Sequence, residues 1–259
     1  MDNTRQPTPE TTPPAPELVG GSSWILIRVL AYGAVILAFI LMLLPAKRSA
    51  REAARRNSCM NNLKQISLAL INYESANGTY PPAYTVDADG RPLHSWRTLI
   101  LPYMEQQPLY KTIDLTKPWD DPANEHAYNA MPEVYSCPSD PTDNADKNLT
   151  TYLAVVTPDS AIRTADSLSF PELPAPSETL LVVDAVPSQA THWMSPVDAD
   201  EKLLVNVDPK LKRQHNGDIC LAAYADGHTY PHSGKIDPQA LRAMITATAD
   251  DNGALQNID

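Results

Sequence analysis

The most apolar part of the chain runs from Trp24 to Ala46, where 23 residues include a single charged side chain, Arg28. A helix of this length extends about 34 Å, which is enough to cross the hydrocarbon core of a bilayer. Arg28 lies about one turn from the start of the segment, so its side chain can reach the lipid headgroups, with Trp24 as an interfacial anchor. The pattern predicts a transmembrane helix over residues 23–46.

The helical pattern continues beyond this segment. No glycine or proline occurs from Lys47 to Asn77, and apolar side chains recur there at helical spacing: Leu63, Ile66, Leu70 and Tyr73. Asn77-Gly78 is typical of a helix end, so residues 47–78 are expected to lead into a body that occupies 47–259. Residues 1–22 are rich in proline and contain no aromatic side chain, which predicts a disordered tail, either a passive spacer or a ligand for a partner domain.

The body alternates short β-branched or aromatic runs with turns rich in proline, aspartate and serine. This alternation after a leading helix predicts an α+β fold. Asp226-Gly227 is typical of a hairpin turn, and Asp237-Pro238 of the start of a closing helix. The strongest strand predictions are Val134–Tyr135, Tyr152–Val156, Leu180–Val183 and Ile219–Tyr224.

Charge excludes one class of partner. The whole chain has a formal net charge of −11. Residues 57–259 contain 13 basic and 27 acidic side chains, a net −14. A body this acidic would be repelled by a phosphate backbone, so we expect no binding to nucleic acid.

Several ordered motifs resemble one family. They are the segment from Leu43 to Tyr84, HSWR from His94, VYSCPSDP from Val134, TLLVVDAV from Thr179 and YADGH from Tyr224. Together they are similar to bacterial prepilin-like proteins that carry domain of unknown function 1559. The resemblance implies an α+β, pilin-like architecture in which a long N-terminal helix has a transmembrane first half. Its second half would pack on a small antiparallel sheet with Pro-rich loops, outside the cytoplasm.

The chain departs from the prepilin pattern where processing is decided. Ser23 stands in place of the glycine before the peptidase cut, and Arg28 in place of the glutamate five residues later. We therefore expect a permanently anchored protein rather than a major filament subunit. Two orientations remain open. The basic residues from Lys47 to Arg56 favour a cytoplasmic body by the positive-inside rule, whereas the resemblance implies an extracytoplasmic body on the inner membrane.

The chain has three cysteines and no Cys-x-x-Cys motif, so neither a zinc ribbon nor a thioredoxin-like site is predicted. The resemblance implies that Cys59 and Cys137 form a disulfide. Three free thiols in a cytosolic protein are the alternative. Cys220 lies in a predicted strand and is expected to be a small buried side chain.

Histidines are concentrated in the C-terminal third, but their spacing does not indicate a metal site. His228 and His232 are four residues apart with Pro231 between them, which prevents a shared helix face. We therefore expect no metal and no cofactor. The resemblance singles out His215 with Asp226-Gly227, and we expect these residues to hold the fold rather than to react.

The chain contains no Gly-x-Ser-x-Gly motif, phosphate-binding glycine loop or dinucleotide fingerprint, so we expect no catalysis. Trp96, Trp119 and Trp193 would either line a binding surface or fill the core. The sequence favours a membrane-anchored, pseudopilin-like envelope protein with a structural or surface-interaction role. Its expected partners are membrane lipid, through Trp24–Ala46, and envelope or secretion-system proteins. The alternatives are an anchored receptor for a cell-surface polymer or peptide and, more distantly, a metal-dependent enzyme.

Overall fold

A computed structural model describes residues 21–140, 147–200, 215, 219–233 and 238–245 of the chain. The chain divides into two units, Met1–Ser49 and Ala50–Asp259. The predicted tail, residues 1–22, lies outside the described residues except for its last two. The described helices are α1 (Gly21–Asn77), α2 (Trp96–Leu99), α3 (Gln107–Tyr110), α4 (Glu125–Tyr128) and α5 (Pro238–Ile245).

In the first unit, the described side chains of α1 are exposed around its whole circumference. They include every residue from Trp24 to Ile40, and the large apolar ones range from 49% exposed at Ile40 to 77% at Met42. Across the part of the chain that the structure describes, no helix offers a stretch that is both long and apolar enough to span a bilayer. The predicted transmembrane segment, residues 23–46, is therefore not confirmed.

In the second unit, α1 is amphipathic. Leu63, Ile66 and Leu70 are completely buried, because the 3.6-residue helical period places them on one face. The helix ends at Asn77, and Gly78 follows with a φ of 87°, a left-handed conformation that glycine adopts without a steric penalty. The Gly78 amide donates a hydrogen bond to the carbonyl of Glu74 at 2.7 Å, which satisfies one of the last helical carbonyls.

The described part of the second unit forms three antiparallel sheets, which confirms an α+β fold with small antiparallel sheets. The described strands are β1 (Tyr84–Val86), β2 (Pro92–Ser95), β3 (Leu149–Thr150), β4 (Tyr152–Ala154), β5 (Leu180–Asp184), β6 (Thr191–His192), β7 (Ile219–Tyr224) and β8 (Thr229–Ser233). The largest sheet has the strand order β4-β5-β7-β8, and β1 pairs with β2 and β3 with β6. The side chains that α1 buries form one core cluster with Leu181 and Leu221 from the largest sheet, while Met244 and Ile245 of α5 pack with Leu153 in a second cluster.

Three of the four strand predictions are confirmed, in β4, β5 and β7, and the fourth is wrong. Val134 and Tyr135 lie in a 3-10 helix, Glu133–Tyr135, which begins directly after Pro132. The reason is a tertiary contact: the buried hydroxyl of Tyr135 donates a hydrogen bond to the backbone carbonyl of Arg97 at 2.8 Å.

The predicted hairpin is confirmed: β7 and β8 are joined through Gly227, which has a φ of 90°. Further 3-10 helices are Leu101–Met104, Pro122–Asn124, Phe170–Glu172 and Pro187–Gln189.

Candidate functional site

A disulfide joins Cys59, on α1, to Cys137, in the turn after the 3-10 helix Glu133–Tyr135. The two Cα atoms are 5.1 Å apart, and both residues are buried. The predicted pairing is confirmed. Asn62, almost one turn further along α1, donates a hydrogen bond to the backbone carbonyl of Ser136 at 2.8 Å. The disulfide and this hydrogen bond hold the same turn against the helix.

Asp184 and His215 form a buried pair next to the disulfide. Asp184 is the last residue of β5 and is 3% exposed, and His215 is 2% exposed. The His215 Nε2 atom lies 3.0 Å from Asp184 Oδ2 and 3.8 Å from Cys137 Sγ. Thr151 donates its hydroxyl hydrogen to the other carboxylate oxygen of Asp184. The pair connects the sulfur bridge to the largest sheet.

The second ring nitrogen of His215 faces α1. Its Nδ1 atom is buried, has no hydrogen-bond partner among the described residues, and lies 3.7 Å from Glu52 Oε1. The Glu52 carboxylate also accepts hydrogen bonds from Arg55, at 2.9 Å, and from Ser139, at 3.3 Å. His215 therefore lies between two carboxylates, one on β5 and one on the helix.

Four side chains at this point carry atoms that bind metals. The two sulfurs, a carboxylate oxygen of Asp184 and a ring nitrogen of His215 all lie within 4.8 Å of one another, and all four residues are buried. The sequence predicted no such cluster, since its members come from α1, a turn, the end of β5 and a residue beside β7. One signal was present: Asp184 closes the apolar run Leu180–Val183, and a carboxylate inside such a run needs a polar partner.

His215 and Asp226, which the family resemblance groups together, do not contact each other among the described residues. Asp226 lies in the turn between β7 and β8. Its Oδ1 atom accepts two hydrogen bonds from His228, one from the backbone amide at 3.0 Å and one from the ring Nδ1 atom at 2.6 Å. Gly227 donates its amide hydrogen to the carbonyl of Tyr224 at 3.0 Å. Each of the two predicted residues thus has a different partner, and they lie in different environments.

Burial separates the three tryptophans between the two alternatives that the sequence left open, a binding surface and the core. Trp96 and Trp193 are both 0% exposed, so a ligand at the surface does not reach them. The indole nitrogen of Trp96 donates a hydrogen bond to Asp198 at 2.9 Å, and Trp193 stacks on Tyr135. Large rings whose polar atoms find a partner are well suited to a core.

Trp119 differs from the other two tryptophans because it is only partly buried. Its ring stacks on Tyr128, with centroids 5.7 Å apart, and lies 5.0 Å from the ring of His192. Of the three predicted rings, Trp119 is the one that a ligand can contact.

A second buried polar group, missed from the sequence, is the ion pair of Arg97 with Asp198 at 2.8 Å. The guanidinium group also donates hydrogen bonds to the backbone carbonyls of Tyr152, Ser195 and Val197. Burial raises the pKa of Asp198, and the charge of Arg97 opposes that rise. Because so many of its donors bind backbone, Arg97 holds loops together rather than facing a substrate.

Comparison with known proteins places much of the chain in a described family. The sequence model of a family described as a protein of unknown function, DUF1559, matches residues 48–202. No curated protein and no solved structure matches the chain. The matched segment contains Cys59, Cys137 and Asp184, and it ends before His215. Since the match covers more than half of its residues, the chain belongs to the DUF1559 family.

Proposed function

We propose that this chain is a membrane-anchored, pseudopilin-like protein of the bacterial cell envelope, whose body has a structural or surface-interaction role. One observation carries the proposal: apart from Arg28, the large side chains described on α1 in the first unit are apolar, and they are exposed on all sides. A helix that is apolar around its circumference needs apolar surroundings, since water would solvate it poorly. Its partners would be lipid and other envelope or secretion-system proteins.

The length of the apolar segment supports an anchor. The apolar sequence runs for 23 residues from Trp24 to Ala46, and Arg28 is its only charge. A helix of this length extends about 34 Å, which matches the hydrocarbon core of a bilayer.

The disulfide supports an extracytoplasmic body, since disulfides persist in oxidising compartments and are rare in the cytosol. The basic residues from Lys47 to Arg56 argue for the opposite orientation. We give the disulfide more weight, because it is buried in the core and joins segments 78 residues apart in the sequence.

A body without catalysis agrees with the burial of its polar clusters. Asp184 and His215 are at most 3% exposed, and Arg97 is 0% exposed. A substrate in solution has no contact with these groups. Their hydrogen bonds tie together separate segments of the fold, which is the role expected of a structural body.

Membrane fractionation of the full chain tests the anchor. Replacing Val35 and Phe39 by lysine puts two charges on adjacent turns of the segment, at a cost of about 2.5–3.5 kcal/mol each in a bilayer. The matched control replaces Leu68 and Val86, two exposed apolar residues of the second unit, by lysine. We expect the native chain and the control to stay in the membrane pellet after carbonate washing and the anchor variant to be released. Release of the native chain by carbonate would contradict the proposal.

Protease treatment of spheroplasts tests the orientation. We expect external protease to digest the body without lysis. A body that is protected until the cells are lysed would place it in the cytoplasm.

Intact mass measurement tests permanent anchoring. Because Ser23 and Arg28 replace the residues of the prepilin pattern, we expect the native protein to retain residues 1–23. Loss of these residues with methylation at Trp24 would mean that the chain is processed as a pilin.

Trp119 favours a second candidate, a receptor for a cell-surface polymer. Stacked aromatic rings at a surface are suited to binding sugar rings or peptide side chains. Co-sedimentation of the detergent-solubilised chain with isolated cell walls distinguishes the candidates. Binding that is lost in Trp119→Ala and kept in Phe170→Ala, an exposed aromatic control, would favour the receptor.

A further inference from the structure

We propose that reduction of the Cys59–Cys137 disulfide converts the cluster around it into a zinc site with two thiolates, His215 Nε2 and an Asp184 oxygen as ligands. This inference goes beyond the proposed function and does not depend on it. In the reduced chain, the zinc ion replaces the disulfide as the link between α1 and the turn that contains Cys137, and it also binds the end of β5.

The donor set is the first argument. Structural zinc sites in proteins are tetrahedral, and they combine cysteine sulfur with imidazole nitrogen or carboxylate oxygen. Once the disulfide is open, this cluster offers two sulfurs, one nitrogen and one oxygen. Each of the four residues is buried, so bulk water does not compete as a fifth ligand.

The distances fit the same geometry. Ligand atoms around a tetrahedral zinc ion lie roughly 3.3–3.8 Å apart, as follows from metal–ligand bonds of about 2.0–2.3 Å. His215 Nε2 lies 3.0 Å from Asp184 Oδ2 and 3.8 Å from Cys137 Sγ, and all four atoms lie within 4.8 Å. Breaking the bond lets the sulfurs separate by rotation of their own side chains, while the two other ligands already face them.

The environment of the histidine is an independent argument. A metal-bound imidazole commonly donates its second N–H to a carboxylate, which fixes the tautomer and the ring orientation. In the disulfide form, His215 Nδ1 is buried and has no hydrogen-bond partner in the part of the chain that the structure describes, while Glu52 Oε1 lies 3.7 Å away. When zinc binds Nε2, the proton moves to Nδ1 and points at Glu52. Nδ1 thus gains a carboxylate partner in the zinc form.

Reduction opens the bridge before zinc binds. A dithiol in the cell, which becomes a disulfide and gives up its two thiol protons, or a phosphine in the test tube, which takes oxygen from water and becomes a phosphine oxide, supplies the two electrons that break the sulfur–sulfur bond. Each cysteine takes up one of the two protons released and becomes a thiol. Zinc then displaces both thiol protons into solution and binds the two thiolates. Oxidation of the thiolates by a disulfide releases the metal and restores the bridge.

Zinc content of the full, detergent-solubilised chain tests the proposal. One sample keeps the disulfide, and the other is reduced with a phosphine, freed of reductant without air, mixed with zinc chloride and desalted. We expect one zinc ion per reduced chain and none per oxidised chain. Equal zinc in both samples, or no zinc in the reduced sample, would overturn the proposal.

Matched variants locate the ligands. We expect at least a tenfold loss of zinc affinity in reduced Cys137→Ser, His215→Ala and Asp184→Asn. The controls carry the same residue types elsewhere: Cys220→Ser, His228→Ala and Asp226→Asn should bind as the native chain does. Cys220 is the essential control, since its sulfur lies 3.7 Å from the backbone carbonyl of Asp184 and it carries the only other thiol of the chain. Equal losses in the two sets would overturn the assignment.

Cobalt substitution tests the site in the native chain, so its result does not depend on whether the variants fold. Bound to the reduced native chain, Co²⁺ should give intense visible bands of tetrahedral coordination together with thiolate charge-transfer absorption. The spectrum should vanish when zinc is added. Weak octahedral bands, or an absence of thiolate absorption, would refute the site without any variant.

Discussion

Two aspartate–histidine pairs among the described residues of the second unit lie in different surroundings. Asp184 and His215 are joined at 3.0 Å with almost no exposure, and Asp226 and His228 are joined at 2.6 Å with about two fifths of the histidine side chain exposed. The buried pair spans 31 residues of sequence and links β5 to the segment beside β7, whereas the exposed pair closes a turn within three residues. The shorter contact is thus the less consequential one, because water replaces its hydrogen bond at little cost.

The disulfide is expected to contribute more to the free energy of unfolding than either aspartate–histidine pair. Replacing both Cys59 and Cys137 by alanine removes a link between segments 78 residues apart, so we expect the free energy of unfolding to fall by about 2–5 kcal/mol. Denaturant unfolding of the detergent-solubilised chain measures the loss. The control is Cys220→Ala, which removes a partly buried thiol outside the bridge, and its effect should be clearly smaller.

The buried pair should show the next largest effect. His215→Ala leaves the Asp184 carboxylate without one of its partners in the core, at an expected cost of about 2–4 kcal/mol. His228→Ala is the matched control, with an expected cost below about 1 kcal/mol. Both are measured by denaturant unfolding, and a larger loss at His228 would break the comparison.

A buried histidine outside these pairs, His94, makes the free energy of unfolding depend on pH. His94 is 0% exposed, and burial lowers its pKa from the ordinary value of 6.5. As the pH falls below 6.5, the unfolded chain takes up the proton before the folded chain does, so the free energy of unfolding should decrease. We expect His94→Gln to flatten this decrease between pH 7 and 5. An unaltered slope in His94→Gln would exclude this histidine as a cause.

The smallest effect is expected in the hairpin turn. Asp226→Ala removes the side-chain acceptor of the His228 amide and ring, and we expect a loss of about 0.5–1.5 kcal/mol. Thermal unfolding measures it, with Asp89→Ala in another exposed turn as a control. A loss as large as that of His215→Ala would mean that the exposed turn holds the fold as strongly as the buried pair.

Local pattern and resemblance predicted different parts of the structure. The apolar runs of β5 and β7, and the Asp226-Gly227 turn, were evident because a strand and a hairpin depend on neighbouring residues. The Cys59–Cys137 bridge came from the family resemblance. Val134–Tyr135 failed as a strand because the buried hydroxyl of Tyr135 binds the Arg97 carbonyl, a contact between distant segments.

The candidate site was not predictable as a unit. The resemblance singled out His215 together with Asp226-Gly227, but the sequence indicated no hydrogen-bond partner for His215. The real partners, Asp184 and Glu52, are brought to His215 by the pairing of β5 with β7 and by the packing of α1. Spacing along the chain does not predict contacts between distant segments. An acidic residue inside an apolar strand, in contrast, does indicate that a polar partner exists.

The central claim is that burial, rather than residue type, makes Asp184 and His215 a coupled site. Double-mutant cycles on both pairs test it most directly, using Asp184→Asn with His215→Ala and Asp226→Asn with His228→Ala in the full chain. We expect a coupling energy above about 1.5 kcal/mol for the buried pair and below about 0.5 kcal/mol for the exposed pair. Equal coupling energies, or the larger value at Asp226 and His228, would contradict the account.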